Sequence, residues 1–295
     1  MNGFINLLKP PGMTSSDAVM AVRRLLPRKT AVGHGGTLDP DAAGVLPICV
    51  GKATRLFDYI IEKDKTYIGE LLLGVVTDTL DTSGVVLERR PVTVAPDDTQ
   101  AVLSRFTGEI MQVPPMYSAL KLGGEPLYKR ARKGETVALE ERKVRISSLE
   151  VIDRTAPDRY LIQIVCGKGV YIRSLMRDIG QALGCGGCMS FLLRASAGAL
   201  HVNESYTLEE LQRLDDISDA ILPPDTMLSA YPKAVLLPDK RVNVLNGQTI
   251  LPSWISESTE GAGGSVRLYV AEEFAGMGSQ GEDGSIKINA MLLDR

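Results

Sequence analysis

The sequence has no long hydrophobic run and no feature of an exported protein. No segment of its 295 residues approaches the roughly eighteen uninterrupted apolar residues of a membrane span, so we expect none. The N-terminus lacks the basic start and apolar stretch of a secretory signal. The four cysteines show no disulfide spacing and are expected to be reduced thiols. These absences predict a cytoplasmic protein with no membrane partner.

The sequence also has little that could bind a metal ion. Cys185 and Cys188 have the spacing of half a zinc site, but the other two cysteines stand alone. The two histidines, His34 and His201, do not complete a familiar pattern with them. We therefore predict no metal site.

Basic charge is scarce overall and concentrated locally. A formal net charge of −3 does not indicate a nucleic-acid-binding protein. Residues 121–145 nevertheless hold eight Lys or Arg against four Glu, whereas residues 236–295 hold five against eight acidic residues. The run KRARK at 129–133 would usually be a solvated helix face, but it is a candidate phosphate contact.

The hydrophobic periodicity predicts an α+β chain. Helical spacing and caps predict helices at about 17–26, 97–106, 126–133, 172–183 and from Thr207, where Glu210 completes a capping box. Alternation predicts strands at about 65–76, 143–154 and 159–166. The stretch 28–55 is broken by glycine and proline, so we expect a long loop around a short strand.

A change of character near residue 236 predicts two domains, 1–235 and 236–295. The second contains the strand-like segments VRLYVA and SIKINAM with Gly-rich turns between them. We expect a small β-rich module there.

The segment GHGGTLDPDAAGVLPICVGKATR, residues 33–55, resembles the catalytic motif of the TruB family of pseudouridine synthases. Taken alone, an aspartate between a Gly-rich turn and a proline would be read as an ordinary turn residue. The length of the match favours the other interpretation. The resemblance implies that Asp39 is the family's catalytic carboxylate.

Further matches follow in the family's order and cover most of residues 5–195. They are LLKPPGMTSSDAV with the Lys-Pro motif at Lys9, KTYIGELLLGVVTDTLDTSG, QVPPMYSALKLGGEPLYKRARKG, and GKGVYIRSLMRDIG. The resemblance implies a pseudouridine synthase fold with a mixed, largely antiparallel sheet. The C-terminal residues resemble a PUA-type module, with a Phe-x-Gly-x-Gly turn at Phe274, Gly276 and Gly278.

The resemblance also implies a role for each matched residue. Arg173 would hold the Asp39 carboxylate ionised, and Tyr67 would stack on a flipped base. The matched substrate-contacting residues are Lys9, His34, Tyr171 and Leu192. The chain departs from the family at Gly35, where threonine is usual, and at Leu193, where the first of two arginines is common. We expect the first change to loosen a loop and the second to weaken an RNA contact.

The activity implied is conversion of uridine 55 in the tRNA T loop to pseudouridine by a monomer, without a cofactor. Attack at C1′, attack at C6 and elimination through a glycal remain open. Guide-dependent archaeal and eukaryotic relatives would carry extra basic extensions, so the guide-free reading is favoured. Two other classes are weaker: a non-catalytic tRNA-folding chaperone, and a metal-dependent hydrolase built on His34, Asp39 and Asp41.

Overall fold

The computed structural model describes residues 1–135, 137–258 and 264–294. In chain order the strands are β1 (Gly3–Lys9), β2 (Val32–His34), β3 (Ala43–Val50), β4 (Lys65–Leu73), β5 (Val75–Thr77), β6 (Val86–Arg89), β7 (Gly108–Gln112), β8 (Lys121–Leu122), β9 (Glu125–Pro126), β10 (Arg142–Ala156), β11 (Arg159–Cys166), β12 (Gly187–Ala197), β13 (Leu200–His201), β14 (Lys233–Leu236), β15 (Ile255–Ser258), β16 (Gly264–Val270), β17 (Glu273–Gln280) and β18 (Ile286–Met291). The α-helices are α1 (Ser15–Leu25), α2 (Phe57–Ile61), α3 (Pro96–Leu103), α4 (Leu127–Arg132), α5 (Ile172–Ala182), α6 (Leu208–Arg213) and α7 (Arg241–Leu245).

Two compact units make up the chain. The first combines Met1–Pro40, Gly44–Glu62 and Ala197–Arg295, and the second combines Asp41–Ala43 with Lys63–Ser196. In both units the chain alternates strands with short helices. Within the described residues, no helix is long and apolar enough to cross a membrane.

The first unit is built on β1 and β3, which pair antiparallel from Gly3↔Val50 to Lys9↔Gly44, with β2 also paired to β3. The prediction of a long loop around a short strand over 28–55 was therefore wrong in extent, since the segment holds both β2 and the eight residues of β3. Glycine and proline concealed this strand. Although Pro47 has no N–H to donate, its carbonyl accepts the N–H of Gly35 at 2.8 Å, so β3 continues through it.

Helix α1 begins after Thr14, which accepts a hydrogen bond from the N–H of Asp17 and closes a capping box with it. The apolar positions Ala18 and Val22 are buried beneath the helix. The helix follows the predicted range closely, and its cap is Thr14. The hydroxyl of Ser15 takes no part in this cap and bonds to the Leu38 backbone.

The C-terminal strands form a five-stranded sheet in the order β15-β14-β16-β17-β18, in which β14 and β16 are parallel and the other pairs antiparallel. A small β-rich module is confirmed. The Phe-x-Gly-x-Gly segment lies in strand β17 and is not a turn. Gly276 has φ of 136°, and a Cβ there would lie 1.8 Å from the Ala290 carbonyl oxygen, so β18 approaches too closely for any side chain.

This sheet has an apolar core of its own and also shares one with the N-terminal strands. The shared cluster joins Phe4 and Cys49 to Met277 and Leu292 within the first unit. Lys52 adds hydrogen bonds to the carbonyls of residues 292 and 293. The sheet begins at Lys233 in β14, and the domain boundary near residue 236 stays a prediction.

The second unit contains the strand series β12-β4-β11-β10-β7. The pairs of β4 with β11, β11 with β10, and β10 with β7 are all antiparallel. In β4 the odd positions from residue 65 to 73 are buried, which confirms the predicted alternation. Helix α5 packs on β4 at Gly69, where a Cβ would lie 2.8 Å from the Met176 methyl carbon.

Glu70 ties the strands of this sheet together by polar contacts. Its carboxylate accepts hydrogen bonds from Thr155 at 2.7 Å, Arg159 at 2.6 Å and Ser190 at 2.6 Å. Although burial raises the pKa of Glu70, these hydrogen bonds and the charge of Arg159 outweigh it and hold the pKa below its usual value. The Glu70 network thus joins β4, β10, β11 and β12. The α+β class with largely antiparallel sheets is confirmed.

Candidate active site

Asp39 lies half-buried in the irregular segment between β2 and β3, where neither a helix nor a strand holds the backbone. The buried Lys9, at the end of β1, supports this segment. Its ammonium donates to the carbonyls of Pro10 at 2.7 Å, Met13 at 2.7 Å and Pro40 at 2.9 Å. These three carbonyl oxygens compensate for burying the ammonium charge and fix the residue after Asp39.

The residue before Asp39 is held as well. Leu38 donates its N–H to the Ser15 hydroxyl at 2.9 Å, and that hydroxyl donates to the Leu38 carbonyl at 3.1 Å. On the other side, the N–H of Gly12 donates to the Pro40 carbonyl at 3.0 Å. The LLKPPGMTSS motif therefore brackets Asp39 through the backbone of its two neighbours.

His34 ends β2 opposite Ile48 and is half-buried. Gly35 follows it at the position where the family usually has threonine. A Cβ on Gly35 would lie 2.8 Å from Ile60 Cγ2 and 3.2 Å from Pro47 Cβ. The space for a side chain is filled, so this glycine is packed against its neighbours. The expected loosening of the loop stays a prediction.

Arg173 lies in the first turn of α5 with 5% of its surface exposed. Its guanidinium donates to the carbonyls of Thr79 at 3.1 Å and Tyr117 at 2.9 Å, and Nε lies 3.7 Å from an oxygen of Asp81. Two loops and one carboxylate thus fix the orientation of this charge. A rigid guanidinium suits the orientation of a reacting carboxylate or phosphate.

Asp81 is a partner of Arg173 that sequence reasoning missed. Its carboxylate also accepts from the Thr79 hydroxyl at 2.7 Å and from the backbone and hydroxyl of Ser83 at 3.0 and 2.6 Å. In the sequence the DTLDTSG segment has the composition of an ordinary turn, which conceals a carboxylate that faces an arginine about ninety residues away.

Gln112 is a second residue that was missed. It is buried at the end of β7, where Nε2 donates to the Tyr171 carbonyl at 3.2 Å and Oε1 accepts the Tyr171 N–H at 2.9 Å. Tyr171 is the N-cap of α5 and contributes no side-chain cap. Gln112 therefore fixes the backbone two residues before Arg173.

Tyr67 and Leu192 lie on the adjacent strands β4 and β12. Tyr67 is 9% exposed and pairs with Ile164 in β11, and Leu192 is 5% exposed. Arg194, two residues further along β12, is 1% exposed, although the sequence did not single it out. A nearly buried tyrosine on a rigid strand can offer its ring without losing much conformational freedom.

The basic run falls on α4 and divides into two kinds of residue. Lys133 and Arg130 lie 2.9 and 3.6 Å from Glu125, which partly neutralises them. Lys129 and Arg132 are exposed, with Arg132 lying 5.6 Å from the ring centre of Tyr128. Lys129 and Arg132 are therefore the charges available to a polyanion.

The cysteines are buried thiols. Burial raises the pKa of Cys49 and Cys166 to about 12 and that of Cys188 to about 11. Thiols in such surroundings stay protonated at neutral pH and do not react as thiolates. In the described part of the chain, no group of three His, Cys, Asp or Glu residues could hold a metal ion.

Each unit contains some of the residues predicted for the site. The first brings Lys9, His34 and Asp39 to the strands β1 to β3, and the second brings Tyr67, Tyr171, Arg173 and Leu192 to β4, β12 and the start of α5. The structure thus holds the backbone on both sides of Asp39, the guanidinium of Arg173 and the strand that carries Tyr67.

Solved structures share this fold. A Cbf5–Nop10–Gar1 complex matches with a TM-score of 0.76 at 26% identity, over 99% of this chain and 84% of that one. An H/ACA RNP bound to a substrate RNA containing 2′-deoxyuridine matches equally well at 24% identity, over 99% and 86%. The fold is therefore that of the pseudouridine synthases.

The family follows from sequence comparison. Residues 23–172 match the N-terminal domain of the TruB family of pseudouridylate synthases, and residues 173–229 match the tRNA pseudouridylate synthase B C-terminal domain. A tRNA pseudouridine synthase B from Alkaliphilus oremlandii is 43% identical over the full length of both chains. One from Caldanaerobacter subterraneus is 44% identical over 91% of each. The chain therefore belongs to the TruB family of tRNA pseudouridine synthases, which are isomerases.

Proposed function

We propose that this enzyme converts uridine 55 in the T loop of tRNA to pseudouridine, with Asp39 as the essential carboxylate. The observation that carries the proposal is the fixed segment around Asp39. Lys9, Ser15 and Gly12 hold the backbone of both neighbouring residues, and the carboxylate itself is only half-buried. A reactive group held in this way is preorganised for chemistry, which an ordinary turn aspartate does not need.

The remaining residues take the following roles in the proposal. Arg173, whose orientation is set by Thr79, Tyr117 and Asp81, directs the Asp39 carboxylate at the substrate. Tyr67 stacks on the flipped uracil and recovers roughly 1 to 3 kcal/mol of the cost of unstacking it. The substrate contacts are Lys9, His34, Tyr171 and Leu192.

Lys9 differs from the other proposed contacts. Its ammonium already donates hydrogen bonds to three carbonyl oxygens, and the residue is fully buried. Its contribution to substrate binding would therefore pass through the backbone of Pro40. His34, by contrast, is half-buried at a strand end and can stack beside an RNA base.

The choice of tRNA as substrate is supported by the relatives. Three curated tRNA pseudouridine synthases B are 43 to 44% identical over 91 to 100% of this chain. The Cbf5 structures share the fold at 24 to 26% identity. These values favour a synthase that recognises tRNA directly. The exposed Lys129 and Arg132 of α4 would contact phosphates of the T arm.

The reaction requires no redox change and no added atom. The N1–C1′ bond of the nucleotide breaks, the uracil turns, and a C5–C1′ bond forms. The hydrogen of C5 leaves to solvent and N1 takes up a proton, so atoms and electrons balance. We therefore propose that the enzyme works without a cofactor or metal. A monomeric state and a cytoplasmic location are further parts of the proposal and are taken from the sequence.

The test is the release of tritium from tRNA transcripts labelled at uridine C5, in buffer with a metal chelator. The wild-type enzyme should release one tritium per tRNA and none from a transcript with cytidine at position 55. Asp39→Asn should bind tRNA with similar affinity but release no tritium, because it keeps the shape of the side chain and removes its charge. Tight tRNA binding without release by the wild-type enzyme would refute the proposal, as would release by Asp39→Asn at the wild-type rate.

A further inference from the structure

The buried hydroxyl of Ser15 bonds to both backbone polar groups of Leu38, the residue before Asp39. Ser15 is the first residue of α1 and only 3% exposed. Its hydroxyl donates to the Leu38 carbonyl at 3.1 Å and accepts the Leu38 N–H at 2.9 Å. The two residues are 23 positions apart, so this contact is tertiary and not a local turn.

We propose that Ser15 is a positioning residue for the reaction, because its hydroxyl fixes the Leu38 backbone and through it the Asp39 carboxylate. The inference rests on the proposed function, in which Asp39 is the essential group. It assigns to Ser15 no contact with substrate.

The contact between Ser15 and Leu38 lies in a segment without regular secondary structure. Residues 35–42 lie in neither helix nor strand. Leu38 as a whole residue is 3% exposed, so water has little access to its backbone groups. Without the Ser15 hydroxyl, both groups would have to find new partners, and the segment would shift to reach them.

A simpler explanation would be that Ser15 only stabilises the start of helix α1, but the hydrogen bonds contradict this. The N-terminus of the helix is capped by Thr14, whose hydroxyl accepts the Asp17 N–H at 3.1 Å, while Asp17 reaches back to the Thr14 N–H. The Ser15 hydroxyl is turned the other way, to Leu38. The helix would keep its cap in a Ser15 variant.

The chain supplies two matched controls for Ser15→Ala. Ser16→Ala makes the same change one residue further along the helix, at an exposed position. Thr14→Ala removes the helix cap and leaves the contact between Ser15 and Leu38 in place. Ser15→Cys, with a weak thiol donor and acceptor of similar shape, gives a partial rescue.

The measurements are kcat and KM for tritium release, together with Tm, for all four variants and the wild type. We expect Ser15→Ala to lower kcat by about tenfold or more with KM within about twofold, since a displacement near 1 Å can cost up to about a hundredfold in rate. Ser15→Cys should fall between alanine and wild type. Thr14→Ala should lower Tm but not kcat, and Ser16→Ala should change neither.

Different results would overturn different claims. If the wild type is active and Ser15→Ala has the kcat of Ser16→Ala, the positioning role is wrong while the proposed function stands. If Thr14→Ala loses as much kcat as Ser15→Ala, the effect comes from the helix and not from Leu38. If Ser15→Ala fails to fold, full wild-type kcat in Ser15→Cys overturns the inference. A wild-type enzyme without tritium release fails the proposed function itself.

Discussion

Gly35 gives the sharpest test of the packing around the Asp39 segment. A Cβ at this position would lie 2.8 Å from Ile60 Cγ2 and 3.2 Å from Pro47 Cβ, both closer than ordinary contact. Ile60 is buried in the first unit and cannot move aside freely. Overpacking of a filled interior costs about 1 to 3 kcal/mol. We therefore expect Gly35→Ala to lower Tm by about 2 to 6 °C.

Gly33 is the matched control, two residues away. A Cβ there meets only Thr54 Cγ2 at 4.0 Å, so Gly33→Ala should fit without strain. It is expected to leave the stability unchanged, or to raise it by up to about 1 kcal/mol by restricting the unfolded chain. Thermal and denaturant unfolding of both variants would measure the difference. Equal stabilities for the two variants would refute the packing argument.

A double-mutant cycle locates the strain. Ile60→Ala removes the Cγ2 methyl that blocks position 35, at a cost of about 2 to 5 kcal/mol when made alone. In that background Gly35→Ala should cost little, because its Cβ now enters the vacated space. The coupling free energy should therefore be close to the penalty of Gly35→Ala by itself. A penalty that persists unchanged in the double variant would mean that backbone conformation, and not Ile60, opposes a side chain.

Two further predictions concern charge. Burial raises the pKa of Glu70, but hydrogen bonds from two hydroxyls and a guanidinium outweigh it and lower the pKa below its ordinary value of 4.5. The ionised carboxylate therefore stabilises the fold above pH 4.5, and this contribution is lost as the pH falls through the lowered pKa. The Tm advantage of the wild type over Glu70→Gln should shrink between neutral and acid pH, and a pH-independent difference would contradict this. Lys129→Ala and Arg132→Ala should each weaken tRNA binding and reduce the slope of log K against log salt by about 1. Lys133→Ala should reduce the slope less, because the Lys133 ammonium is paired with Glu125. Slopes equal to the wild-type slope for Lys129→Ala and Arg132→Ala would contradict a contact between α4 and the RNA.

The sequence predicted those elements whose signals are local. The alternation in β4 places Tyr67 on the buried face, and the structure agrees. Thr207 and Glu210 form the predicted capping box at the start of α6. Helix α5 begins with the predicted apolar positions buried. In each case neighbouring residues in the chain determine the geometry, so a short window of sequence contains what is needed.

The extent of β3 and the whole of β17 escaped prediction because their sequences contain glycine or proline for tertiary reasons. In β3 the residue Pro47 still offers its carbonyl to Gly35, a partner outside the local window. In β17 the residue Gly276 is required by the approach of the Ala290 carbonyl from the next strand. Local rules read both residues as breakers. Only the neighbouring chain shows that they are compatible with a strand.

The candidate site contains two kinds of residue. One kind is proposed to react with the substrate, and the other holds the first kind in position. Ser15 and Gln112 are each buried and each bond to both polar groups of one distant backbone residue, Leu38 in one case and Tyr171 in the other. Each of those backbone residues lies one or two positions before a predicted catalytic side chain. A serine and a glutamine in these roles have no local sequence signal, because their partners are 23 and 59 positions away. A loop that must present a reactive group half-exposed cannot also be held by a strand ladder, and buried polar side chains provide the missing hydrogen bonds. The residues that fix the geometry of this site are therefore expected among the buried polar positions and not only among the motif residues that carry charge.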